Sequence, residues 1–145
     1  NLIKRGDIRR PVMGSLDPVL HTMLRCDLES EDFKCESRTL LAPATKLAYA
    51  SRTALYFLSD PAEAGSYSCA EPKSYPYTQL YRFPIDDAEP GVVALEGLPA
   101  DSFAVHEEAN RVYALLRRRA PSASCPAAAQ EYEARLARIP LDSFS

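Results

Sequence analysis

The sequence predicts an all-β protein built from a repeated four-stranded antiparallel unit. Three observations lead there. Short runs of β-branched, aromatic and aliphatic residues recur between Pro, Asp, Ser and Gly; amphipathic helical spacing is nearly absent; and segments of the chain repeat at a step of 56 to 57 residues. A chain of 145 residues with 46% apolar and 26% charged residues also has a globular composition and the length of one ordinary domain.

Residues 18–28 alternate, with Val19, His21, Met23 and Arg25 on one side and Leu20, Thr22, Leu24 and Cys26 on the other, which is the period of a strand. The polar stretch 29–33 turns the chain into a second run, 35–41. Runs 46–50 and 53–58 follow, separated by a tight turn, and a long polar loop, 59–77, leads to the run 78–85. The acidic turn Asp86-Asp87-Ala88-Glu89-Pro90-Gly91 precedes 92–95, and the last runs are 102–106, 111–117 and 132–141. All have strand length, roughly 4 to 10 residues. Residues 127–137 have the intrinsic propensity of a helix, but the repeat assigns this part of the chain to a strand.

Arg25 in Leu24-Arg25-Cys26-Asp27 lines up with Arg82 in Tyr81-Arg82-Phe83-Pro84-Ile85-Asp86 and with Arg138 in Ala137-Arg138-Ile139-Pro140-Leu141-Asp142. The step of 56 also brings Pro43-Ala44 onto Pro99-Ala100, Leu47 onto Phe103, Ser66 onto Ser122, Ser68 onto Ser124 and Cys69 onto Cys125; one residue further, Leu55-Tyr56 falls on Val112-Tyr113. Each unit reads as strand, tight turn, strand, long loop, strand, short turn, strand, the composition of a β-propeller blade with its surplus length in the loop. The expected division is a partial blade 1–41, a full blade 46–95 and a partial blade 102–145, an incomplete propeller in this chain. A β-sandwich with a duplicated hairpin is the competing architecture.

Short motifs within these units resemble a known family. Arg5-Gly6-Asp7-Ile8-Arg9-Arg10-Pro11, residues 19–28, Thr45-Lys46-Leu47-Ala48-Tyr49-Ala50-Ser51, Ala54-Leu55-Tyr56-Phe57 and Gln79-Leu80-Tyr81-Arg82-Phe83 are similar to bacterial secreted β-propellers distantly related to WD-repeat proteins. Gly97-Leu98-Pro99-Ala100-Asp101-Ser102-Phe103-Ala104-Val105-His106-Glu107 takes the place of that family's Gly-x-Val-Pro-Gly and Asn-Ser/Gln-Phe-Ser-Met-Asp-Glu corner. It departs from the pattern at Ala100, Asp101 and Ala104. The resemblance implies an exported bacterial propeller and supplies no catalytic residue.

The remaining chemistry is sparse. His106-Glu107-Glu108-Ala109-Asn110 starts like a zinc-protease motif but has Asn where the second His should stand, so it reads as a strand end and turn. There is no Gly-x-Ser-x-Gly elbow, and Asp86, Asp87 and Glu89 lack calcium-loop spacing. No metal and no cofactor are expected. Net charge −3 leaves no footprint for nucleic acid, and the apolar runs fall far short of the roughly 20 residues that span a bilayer. Asn1 to Asp7 carry no leader-like apolar stretch, so the chain is expected to be a mature, processed or excised piece.

Tyr56, Tyr81 and Tyr113 are expected to pack between blades, whereas Tyr67, Tyr75 and Tyr77 in the long loop and the basic run Arg117-Arg118-Arg119 are candidate binding residues. Cys26 and Cys35 flank one turn and are expected to pair; Cys69 and Cys125, at equivalent places in successive loops, are expected to form a second disulfide. An oxidising location follows: secreted, periplasmic or cell-surface. The functional expectation is a non-catalytic module that binds a protein or surface glycan through its long loops, with further blades or further copies of itself as partners. The alternative is part of a propeller hydrolase or lyase completed by blades outside this chain.

Overall fold

A computed structural model describes residues 8–9, 18–29, 31–32, 34–59, 77–119 and 132–144. The chain divides into two compact units, Asn1–Ala44 and Thr45–Ser145. The described elements are β-strands and short 3-10 turns, and every sheet pairing is antiparallel except one.

The first unit contains β1 (Ile8–Arg9), β2 (Val19–Cys26) and β3 (Cys35–Ala42). The strands β2 and β3 pair without a slip from Val19 opposite Ala42 to Cys26 opposite Cys35. Asp27 holds the turn between them, its carboxylate accepting from the Glu29 amide at 3.0 Å while its own amide donates to Lys34 O at 2.9 Å. Among the described residues of this unit, Thr39, Leu40 and Ala42 on β3 and Pro43 just after it are buried. The parallel pairing of β1 with β3 was not legible in the sequence, because two residues carry no period.

Cys26 and Cys35 form a disulfide at the last rung of the ladder, with Cα atoms 4.1 Å apart, as expected. A peptide map under non-reducing conditions should recover Cys26 and Cys35 in one linked fragment. Replacing both by serine should cost about 2 kcal/mol, because the cross-link restricts the unfolded chain, and comparison of urea midpoints checks this. Cys69 and Cys125 lie outside the described residues.

The second unit begins with a four-stranded meander: β4 (Thr45–Ala50), β5 (Ala54–Ser59), β6 (Tyr77–Pro84) and β7 (Gly91–Glu96), in that order across the sheet. Directly opposed residues define its two faces. Tyr49, Tyr56 and Arg82 share one face with Leu47, Leu58 and Leu80. Phe57, Tyr81 and Phe83 share the other, with Phe57 stacked on Tyr81 at 5.0 Å and on Phe83 at 5.3 Å between ring centroids. Both faces are buried, since Tyr56, Leu58 and Leu80 on one and Phe57, Tyr81 and Phe83 on the other are all shielded from solvent. That explains why Ala54-Leu55-Tyr56-Phe57-Leu58 is a continuous apolar run and does not alternate: a strand covered on both sides has no polar face.

The second sheet contains β8 (Leu98–Pro99), β9 (Val105–Glu108), β10 (Arg111–Arg119) and β11 (Tyr132–Pro140). β10 pairs with β11 along its length, while β9 and β8 succeed one another along its other edge. Residues 102–106 were expected to be one strand. Ser102–Ala104 instead form a 3-10 turn, because the Asp101 carboxylate accepts from the Phe103 and Ala104 amides at 2.9 and 3.1 Å. The same turn corrects the alignment of Leu47 with Phe103. Leu47 packs against the core, whereas Phe103 is 95% exposed, and ladder position matches Tyr49 with His106 instead. In the segment of mixed propensity, Tyr132 onward is strand, as the repeat requires.

The two sheets of this unit share one apolar core. Ala54, Tyr56, Leu58, Leu80 and Leu95 come from the first sheet, and Val105, Val112, Ala114, Leu116 and Ile139 from the second. The β9–β10 turn places Ala109 at φ 49° and Asn110 at φ 64°, the left-handed pair that a two-residue hairpin demands. Alanine is a poor choice at the first position. Ala109→Asn should stabilise the protein by about 0.5–1 kcal/mol, measurable as a raised Tm.

Candidate functional site

Among the described residues of the second unit, Glu107 is the centre of a dense polar cluster. On β9 its neighbour Val105 is buried in the core, and the side chain of Glu107 reaches toward the first sheet on that same side of the strand. There the hairpin turn between β4 and β5 presents two hydroxyls. Ser51 Oγ donates to Glu107 Oε2 at 2.5 Å, Thr53 Oγ1 donates to Oε1, and Tyr56 OH donates to Oε2 at 2.7 Å. The Tyr56 oxygen also accepts from Arg82 Nε at 3.1 Å, and the Glu107 amide donates to Tyr49 OH at 3.2 Å. Ser51 is itself fixed by the turn, its oxygen accepting from the Thr53 and Ala54 amides at 3.1 and 2.9 Å.

Burial alone would push the Glu107 carboxyl upward, but the three hydroxyls and the Arg82 charge outweigh it and hold the group below its ordinary range. Burial, reinforced by Glu107, raises the Tyr56 phenol well above its usual value, so it remains a neutral donor. Tyr49 and Tyr56 lie 5.9 Å apart between ring centroids, and Phe144 meets Tyr56 edge-on at 6.0 Å. The cluster is therefore a stable carboxylate with its acceptor sites filled, flanked by aromatic rings. It staples two sheets together.

The exposed chemistry lies beside it. Ala48, Tyr49 and Ala50 of β4, together with Ser102, Phe103, Val105 and His106, line an open groove of about 470 Å³. Phe103 sits on the groove's rim at the tip of the Asp101-capped turn.

Among the candidate binding residues, Tyr67 and Tyr75 lie outside the described residues. Tyr77 was placed in the long loop, but its backbone begins β6 and pairs with Glu96, because the ladder runs one residue further than the apolar run suggests. Arg117, Arg118 and Arg119 lie on β10 opposite Ala134, Glu133 and Tyr132, and the Arg117 side chain is exposed. The His106-to-Asn110 segment is the strand end and turn it was read as. Asp86 serves its own turn, accepting from the Ala88 amide at 3.1 Å. Among the described residues no three His, Cys, Asp or Glu side chains gather as metal ligands would. Sequence reasoning gave no role to Glu107 or Ser51 and placed Phe103 only by alignment. The available signal was that Tyr49, Ser51, Tyr56, Arg82 and Glu107 all belong to the quoted motifs, and these five converge here.

The chain is thus an all-β protein of antiparallel sheets with a disulfide and a carboxylate-centred staple. No family model, curated protein or solved structure matches it. Among the described residues no helix is long and apolar enough to cross a membrane.

Proposed function

We propose that this chain is a segment of an exported β-propeller that acts as a non-catalytic binding module for a protein or surface glycan. The reading as blades is supported by the sequential meander β4-β5-β6-β7, buried on both faces, and by the second sheet packed against it. The Cys26–Cys35 disulfide agrees with an oxidising location outside the bacterial cytoplasm. The observation that carries the binding role is Phe103, an exposed ring on the Asp101-capped turn at the rim of the groove of about 470 Å³. Such a ring offers large apolar contact to a sugar face or a peptide side chain at little entropic cost.

Binding to an array of surface polysaccharides and to intact envelope fractions, measured beside Phe103→Ser, tests this. The wild type should bind one class, and the variant should lose about tenfold or more in affinity with an unchanged Tm. Release of cleaved or modified ligand, or equal binding by the variant, would overturn the reading.

A further inference from the structure

We propose that His106, Tyr113 and Arg138, a row across the second sheet on the side away from the shared core, bind a glutamate side chain carried on an extended peptide segment of a partner protein. His106 also lines the groove at Phe103, but the inference rests on the strand registers and on a contact that the molecule already makes once.

That contact shows how such a row receives a carboxylate. Tyr56 stands between Tyr49 on one neighbouring strand and Arg82 on the other. The Glu107 carboxylate accepts from Tyr56 OH at 2.7 Å, Arg82 Nε donates to the same phenol oxygen at 3.1 Å, and the Glu107 amide donates to Tyr49 OH at 3.2 Å. In the second sheet Tyr113 stands between His106 and Arg138 in the same way, each residue one repeat step after its counterpart. A phenol, a guanidinium and a ring nitrogen able to accept a peptide N–H are thus set side by side. Val112 and Ala114 are buried in the core, so Tyr113 between them is directed to the opposite side. There Tyr113 is half-buried, and His106 and Arg138 are exposed.

Two features define the ligand. Val105, two residues before Glu107, is buried in one core with Leu58 and Leu80. The second sheet repeats this leucine pair as Leu115 opposite Leu136, 52% and 65% exposed, so the segment that fits carries an aliphatic residue two places before its glutamate. Charge agrees. Where the first sheet has Ser51 and Ala54, the second has Glu108 directly opposite Arg111; with Arg138, two guanidinium groups then face one carboxylate, and the row attracts an anion. Because the backbone amide of Glu107 is part of the existing contact, a peptide matches the row better than an acidic sugar does.

Fluorescence anisotropy on the whole chain, with the labelled and end-blocked peptide Ala-Val-His-Glu-Ala, tests the proposal. The same peptide with glutamine in place of its glutamate should bind about tenfold more weakly. Tyr113→Phe and Arg138→Gln should each lower affinity for the glutamate peptide about tenfold and leave that for the glutamine peptide almost unchanged. Circular dichroism should match wild type; Arg138 is exposed, so Arg138→Gln decides the matter should Tyr113→Phe misfold. No binding at millimolar peptide, equal binding of the two peptides, or variants that bind like wild type would each overturn the proposal. So would a glucuronate oligosaccharide that binds the same residues more tightly than the peptide. Phe103→Ser should bind the peptide as wild type does, which separates this result from that of the groove experiment.

Discussion

Glu107→Ala should lower the stability of the second unit by about 2–3 kcal/mol, the range for losing a charged acceptor that several buried donors share. The loss falls unevenly. Ser51 Oγ also lies 3.1 Å from Ala54 O and can turn its proton there, whereas among the described residues Tyr56 OH has Glu107 as its acceptor. Most of the cost should therefore arise at Tyr56, a ring that is fully buried. A double-mutant cycle of Glu107→Ala with Tyr56→Phe should show coupling of about 1 kcal/mol or more, measured by chemical denaturation. Independent effects of the two substitutions would mean that the geometry of the cluster carries no energy.

The same carboxylate makes stability depend on pH. Its value in the folded protein is held below the ordinary range, so the unfolded chain binds the proton more readily. The contribution is complete above the unfolded carboxyl's range and is lost as pH falls through the folded value. Glu107→Gln, which resembles the protonated acid, should therefore be less stable than wild type at neutral pH, and the gap should narrow on acidification. A gap that widened at low pH would contradict this.

Gly97→Ala should be more damaging still, costing about 3 kcal/mol from backbone strain and close contact together. Gly97 sits at φ +114°, and a Cβ there would lie 2.9 Å from Arg117 O and 3.3 Å from Leu116 Cβ. The backbone cannot swing aside, because Thr78 Oγ1 donates to Gly97 O at 2.7 Å from within the first sheet. Relief would have to come from β10, where β8 meets Leu116 and Arg117. A sharp fall in Tm with the far-UV spectrum of the remaining fold retained is the expected outcome; a Tm within a degree or two of wild type would show that the corner yields freely.

Most of the strand content was legible because it depends on local pattern. Residues 18–28 and 35–41 announced the hairpin, and Cys26 and Cys35 fell at its end, so the disulfide could be read from two positions in one turn. The 3-10 turn was hidden because Ser102, Phe103 and Ala104 have ordinary strand-like or neutral preferences; the deciding atom is the Asp101 carboxylate, which acts on amides beyond it. The staple was hidden for a different reason. Ser51 and Glu107 are 56 residues apart, and their places in short motifs do not show that the two side chains meet until the sheets pack. Arg82 and Arg138 are in register at the repeat step, but the contact of Arg82 with Tyr56 beside Glu107 forms only when the sheets pack.

The bulge between Thr45 and Leu47 on β4, and the replacement of one continuous edge by β9, a capped turn and β8 on β10, have a shared consequence. Each interrupts the row of amides and carbonyls along the first strand of its sheet. A foreign strand seeking to extend either sheet there meets a broken hydrogen-bonding template. This discourages amyloid-like strand addition at those two edges.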